Sequence, residues 1–296
     1  MFISAALSWW IGAAASSDYA GADACRKCHP EEFSAQSKSA HSRALARSKP
    51  PQPGDWAFGA GVQAITFVTR VDAKFYREEG ESWYRQLGGY ARTPGHTSPG
   101  GMLDRIFDPS ATILRCFMCH STGPLRIDDD QAIVPFEPGI RCEVCHGPAA
   151  QHAREPARFH PQTPGRLSAD ELNAFCGQCH RMPAPASATP DLSNPWNARH
   201  QPPMLAASAC FSKSQGRLSC LTCHSPHGSL ERNAAAYDRA CAQCHTSLQH
   251  KADTKSRACV SCHMPLVEAQ PYLRFANHRI GVYAPADPMA PLSVRE

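Results

Sequence analysis

Fourteen of the fifteen cysteines in this 296-residue chain fall into seven pairs with one spacing, and a histidine directly follows every second cysteine. Numbered in chain order, the motifs are Cys25-Cys28-His29, Cys116-Cys119-His120, Cys142-Cys145-His146, Cys176-Cys179-His180, Cys220-Cys223-His224, Cys241-Cys244-His245 and Cys259-Cys262-His263. Cys-x-x-Cys-His is the attachment pattern of c-type haem. The two thiols add across the vinyl groups, and the next imidazole reaches the iron from the same face. Zinc knuckles and redox dithiols share Cys-x-x-Cys, but neither requires a histidine after each second cysteine, and a disulfide scaffold fixes neither spacing nor histidine. Seven covalently bound c-type haems are expected, held by these fourteen cysteines.

Seven haems would leave about 40 residues for each, too few to wrap a separate apolar core around every one. The haems must then pack on one another and form much of the core. Together with 26 prolines and 19 glycines, this predicts a haem-packed fold of short helices and extensive irregular loops, with few long regular elements.

Beyond the seven motif histidines, eight remain: His41, His96, His152, His160, His200, His227, His250 and His278. Seven suffice to give every iron a second imidazole. A bis-histidine iron passes electrons and leaves no place for substrate, whereas a catalyst needs at least one open position. The expected iron ligands are therefore the seven motif histidines with His41, His96, His152, His200, His227, His250 and His278, leaving His160 spare. No catalytic residue is assigned. His152 follows the Gly147-Pro148 turn and is expected on a neighbouring iron or, over a short reach, its own. No Cys-x-x-Cys-Lys variant occurs. Cys210, outside the motifs, reads as a buried thiol, with iron ligation or pairing to another chain as alternatives.

The net charge is +4, and the basic residues are scattered without a run, which sets nucleic acid aside. Among them 23 are arginine and 7 lysine. Haem propionates would supply carboxylates for that excess, and a GC-rich codon bias would produce it too. The apolar run Phe2 to Ala15, followed by small residues, reads as a signal-peptide core within residues 1–20, although no Lys or Arg precedes it. A buried N-terminal helix is the alternative. Export to the periplasm or the cell exterior is expected, with membrane association only through partners or an uncleaved N-terminus.

Residues 21–283 read as one haem-binding domain. Its subclusters would be 21–182, with four motifs, and 196–283, with three, around the Pro-rich stretch 182–195; residues 284–296 read as a flexible tail. The long cysteine-free region after motif 1 alternates apolar and polar residues over "GVQAITFVTRVDAKFYREEGESWYRQLGGY". This predicts a small antiparallel hairpin turning at Asp72-Ala73-Lys74, with a third strand at Ser82–Leu87. A short helix is expected over "PEEFSAQSKSAHSRALA", carrying His41. Another is expected after Ser168, whose spacing to Glu171 suits an N-cap, and it carries motif 4.

The segments "CHGPAAQH", "RLSCLTCHSPHG" and "CVSCHMP" followed by "FANHRI" resemble multihaem cytochromes of the cytochrome c554 type, and the likeness runs over nearly all of the chain past residue 20. The hairpin region is similar to an insert in relatives that also carry tetratricopeptide repeats, which this chain lacks. The resemblance implies a mainly helical fold with stacked and perpendicular haem pairs and largely bis-histidine irons. It places His152, His227, His278 and His41 as sixth ligands. The resulting expectation is an electron carrier working between a donor and an acceptor protein. The alternatives are an oxidoreductase of a small nitrogen or sulfur compound at one open haem, and a self-assembling subunit of a conducting filament.

Overall fold

The computed structural model describes residues 15–72, 75–96, 100–105, 112–182, 190–246, 250 and 258–292. Residues 1–14, the turn residues 73–74, the heart of the Pro-rich stretch (183–189) and residues 293–296 lie outside it, and so do the expectations that fall on them.

Helices are short and most of them serve a motif: Ala22–Cys25, Thr112–His120, Cys142–His146, Ala169–His180, Cys220–Cys223, Asp238–Ala242 and Cys259–His263. Helical geometry explains the motif spacing, because residues i, i+3 and i+4 share one face, so both thiols and the imidazole point the same way. The helix Ala169–His180 is the longest of them, at 12 residues, and it starts as its sequence predicts. The Ser168 hydroxyl accepts from the Glu171 amide at 3.3 Å, and the Glu171 carboxylate accepts from the Ser168 amide at 2.9 Å. The helix after motif 1 runs over Pro30–Ser37 and ends before His41, which sits in the following turn.

The β content is larger than the sequence predicts, and this corrects the mainly α expectation. Seven strands form one antiparallel sheet: β1 (Leu45–Arg47), β2 (Trp56–Phe58), β3 (Ala64–Arg70), β4 (Phe75–Glu78), β5 (Glu81–Tyr84), β6 (Gly89–Arg92) and β7 (Met102–Arg105). The path is β1-β2-β3-β4-β7, with β5 also paired to β3 and β6 added beyond β5. The expected hairpin is β3-β4, and the third strand falls at β5, ending earlier than predicted. Strands β1, β2 and β7 are three or four residues long, too short for a two-residue period to register in sequence. Three further two-stranded sheets follow, among them Tyr283–Ala284 with Asp287–Pro291. The residues through Pro291 that read as a tail are thus paired, and Met289 is buried in a small core with Ala198, Met204 and Val267.

The sheet positions motif 2. Phe117, between the two cysteines, is fully buried among Trp56, Phe58 and Tyr76, with ring centroids at 5.3, 5.0 and 6.3 Å in edge-to-face contacts. Burying such a ring stabilises the contact by about 3–5 kcal/mol, judged from the cost of truncating a core Phe to Ala. The motif 2 helix is therefore clamped to the sheet, with the His120 ring edge-on to Phe58 at 5.4 Å.

Candidate haem-binding sites

All seven motifs border one continuous internal space of about 3050 Å³. A small-molecule pocket occupies about 300–1,000 Å³, so this space calls for several large groups. Twelve of the fifteen histidines line it: the seven of the motifs with His41, His152, His227, His250 and His278.

These five meet five motif histidines across a nearly constant gap. Ring centroids are 6.4 Å apart for His29 and His152, 6.0 Å for His180 and His41, 6.1 Å for His146 and His227, 6.2 Å for His224 and His278, and 6.1 Å for His263 and His250. A metal–imidazole bond of about 2 Å plus about 1.1 Å from nitrogen to ring centre, taken on both sides, spans about 6.2 Å. Aromatic pairs in general range over about 4.5–7 Å, whereas these five fall within 0.4 Å of one another. The interplanar angles are 29°, 22° and 38° for the pairs of motifs 1, 3 and 5, and 66° and 64° for motifs 4 and 7. His152 thus faces the motif 1 histidine rather than that of its own motif, and each facing ring comes from a segment outside the motif it meets.

Backbone carbonyls orient the rings. Nδ1 donates to Ala44 from His120 (2.9 Å), to Gln162 from His146 (2.9 Å), to Phe159 from His152 (2.7 Å), to Gly281 from His263 (2.8 Å) and to Ala276 from His278 (3.0 Å). A carbonyl can only accept, so the proton is on Nδ1 and the Nε2 lone pair is free for a metal. Burial lowers the proton affinity of His41, His120, His180, His224 and His278, the last to about 4. Each is then the neutral ring that iron binds. Among the described residues no three His, Cys, Asp or Glu side chains converge as a bare metal ion requires. The donors come as opposed imidazoles with thiols alongside, which fits haem.

The remaining predicted residues separate from this set. His120 and His245 border the space without a facing imidazole among the described residues. His96 is packed at the sheet with 3% of its side chain exposed, its Nε2 2.9 Å from the Glu78 carboxylate. His200 is half-buried outside the internal space, and His160 is exposed. His96 and His200, expected as ligands, therefore do not stand opposite any motif ring. Cys210 is half-buried at the edge of the space, close enough to Cys244 for its thiol to be raised by it, after the larger effect of desolvation.

Arg199, Arg217, Arg232, Arg239 and Arg279 also border the space, and none forms an ion pair among the described residues. Arg279 is half-buried and the other four are exposed where they border the space, and haem propionates have the carboxylate chemistry to pair with them. Sequence reasoning found the arginine excess but not these positions, nor the carbonyls that aim the imidazoles, because neither carries a local pattern.

One glycine sets two of the rings. Gly139 has φ +82°, and a Cβ there would lie 2.1 Å from the Ser42 carbonyl oxygen. This close approach seats the His41–Ala44 turn, whose His41 carbonyl accepts from Ile140 at 2.9 Å while Ala44 holds His120. Gly139→Ala is expected to push the turn outward and detach His41, so that the ferric protein gains one high-spin iron in its electron paramagnetic resonance (EPR) spectrum.

Comparison with known proteins agrees with this chemistry. The family model "Cytochrome c554 and c-prime" matches residues 102–147, which include motifs 2 and 3. The multiheme cytochrome MtrA of Shewanella baltica is 26% identical over 181 residues, covering 44% of this chain and 51% of MtrA, so the chain spans about half of that relative's length. Among solved structures, the outer cell wall cytochrome OcwA superposes with TM-score 0.59 at 17% identity, covering 91% of this chain and 81% of OcwA. The undecaheme cytochrome from the S-layer of Carboxydothermus ferrireducens gives TM-score 0.50 at 18% identity, covering 88% of this chain and 52% of its own. These last two likenesses concern the fold.

Proposed function

We propose that this chain is a multihaem c-type cytochrome that carries seven covalently attached haems and moves single electrons between a donor and an acceptor protein outside the cytoplasm. The five opposed imidazole pairs carry this reading. Haem, when bound, supplies a one-electron iron couple. The chain's part is to hold each group by two thiols, to present neutral Nε2 atoms from both faces at five sites, and to aim them through backbone carbonyls. Arg199, Arg217, Arg232, Arg239 and Arg279 neutralise propionates where they border the space. Among the described residues no helix is long and apolar enough to cross a membrane. The names of OcwA and of the S-layer cytochrome place those proteins at the cell exterior, which supports export here.

Pyridine haemochrome analysis is expected to find seven haems per chain; well under seven overturns the proposal. Ferric EPR is expected to show five low-spin irons and two high-spin ones, the latter at His120 and His245. Near-parallel imidazole planes separate the iron d orbitals and give rhombic signals, whereas crossed planes leave two nearly equal and give strongly anisotropic ones. Motifs 1, 3 and 5 should therefore give rhombic signals, and motifs 4 and 7 the strongly anisotropic kind.

The two histidines without a facing ring favour a second reading, reaction with a small nitrogen or sulfur compound at an open iron. It predicts that nitrite, hydroxylamine or cyanide alters the high-spin signals. If all seven irons are low-spin and indifferent to these compounds, this reading fails and the carrier reading stands.

A further inference from the structure

One carboxylate inside motif 3 is directed at the site of another motif. Glu143, the residue after Cys142, has only 3% of its surface exposed. A buried carboxylate is stable only where donors take up its oxygens, and here three backbone amides do so, all at 2.8 Å. Oε2 accepts from Gly21, and Oε1 accepts from both Ala20 and Ala149. Gly21 and Ala149 are the N-cap residues of two short helices, and neither has a side chain that caps. In a capping box, a Glu or Gln three residues further on meets the amide of the N-cap residue. In this chain a single Glu from a third helix, Cys142–His146, meets both.

The two helices serve the same haem site. Sites take the numbers of their motifs. Ala22–Cys25 brings in Cys25, the first thiol of site 1. Ala150–Arg154 carries His152, whose ring faces His29 of site 1 at 6.4 Å with 29° between the planes. Glu143 therefore ties the thiol side of site 1 to the side of its facing ring. Its main chain acts on the same turn: the Glu143 carbonyl accepts from Gly147 at 3.0 Å, and Gly147, at φ +76°, begins the turn to Ala149. The segment ahead of Ala22 is seated by Tyr19, whose ring lies 5.4 Å from that of Phe136. The His152 ring is held at its other end by the Phe159 carbonyl at 2.7 Å.

We propose that Glu143, although it belongs to motif 3, is the positioning residue of site 1 and sets the angle at which His152 faces His29. The inference rests on the bis-histidine reading of that site. Releasing the Ala149 amide lets the start of the His152 helix move while Phe159 still holds the ring, so the ring plane turns away from 29°. The orbital splitting that makes site 1 rhombic changes with it. Site 3 is held by other groups, since His146 is aimed by the Gln162 carbonyl and faced by His227.

Ferric EPR of the mature holoprotein tests this. His152→Gly identifies the site 1 signal as the one of the three rhombic signals that it abolishes. Glu143→Ala is expected to shift the g values of that same signal and to leave those of sites 3 and 5 in place. Glu143→Gln fills the same space with one acceptor oxygen fewer, and it is expected to shift the site 1 signal by less, which separates the acceptor role from packing. A site 1 signal unchanged in both variants, or a shift that falls on site 3 instead, overturns the positioning role and leaves the carrier reading intact. A wild type without three rhombic signals overturns the ligand reading itself. If Glu143→Ala does not mature, Glu143→Gln decides.

Discussion

A chain exported without haem attachment will be unfolded by circular dichroism and will be cut by protease throughout its length. Without haem, the partly open space of about 3050 Å³ fills with water, which wets its apolar lining and leaves the neutral imidazoles without their metal. The two side-chain cores that stand apart from the space, around Phe117 and around Met204, are too small to offset this. A cooperative melt with native-like dichroism from the haem-free chain would contradict the haem-packed reading of the interior.

His278→Gly will turn one low-spin iron into a high-spin one, raising the high-spin count from two to three per chain, and added imidazole will reverse the change. His278 is half-buried, faces His224 at 6.2 Å and is held by the Ala276 carbonyl. The free ligand therefore has a ring-sized space to enter. His160→Gly, at an exposed ring, and His200→Gly, outside the internal space, will leave the spectrum unchanged. Acid should reproduce part of the His278→Gly effect. Desolvation holds the His278 pKa at about 4, below its ordinary 6.5. The unfolded chain then takes up the proton first, and the stability drawn from this neutral ring is complete above pH 6.5 and is lost as pH falls toward 4. A spectrum of His278→Gly identical to wild type would remove His278 from the ligand set.

Legibility from sequence followed the range of each interaction. The seven motifs were readable because thiols and imidazole act within five consecutive residues on one helical face. The helix start at Ser168 was readable for the same reason. The sequence offers His41, His152, His227, His250 and His278 as facing rings but not their partners, since none of them faces the motif nearest to it in sequence. His96 and His200 entered the set by composition alone; the Glu78 carboxylate that occupies His96 lies on a strand with no signal pointing to it. The sheet was half visible. The alternating run over β3 and β4 carries a period, but Leu45–Arg47 and Trp56–Phe58 are too short to carry one, and they become strands because Phe117 needs a wall to bury against.

The opposed rings also set a schedule. As the chain is delivered from its N-terminus, a facing pair can close only once its later member has arrived. Site 1 waits for His152, site 4 already has His41 when His180 appears, site 3 waits for His227, and site 7 closes at His263. Site 5 closes last, at His278. A chain interrupted shortly after the final motif would hold every cysteine it needs and still lack the ring that faces His224.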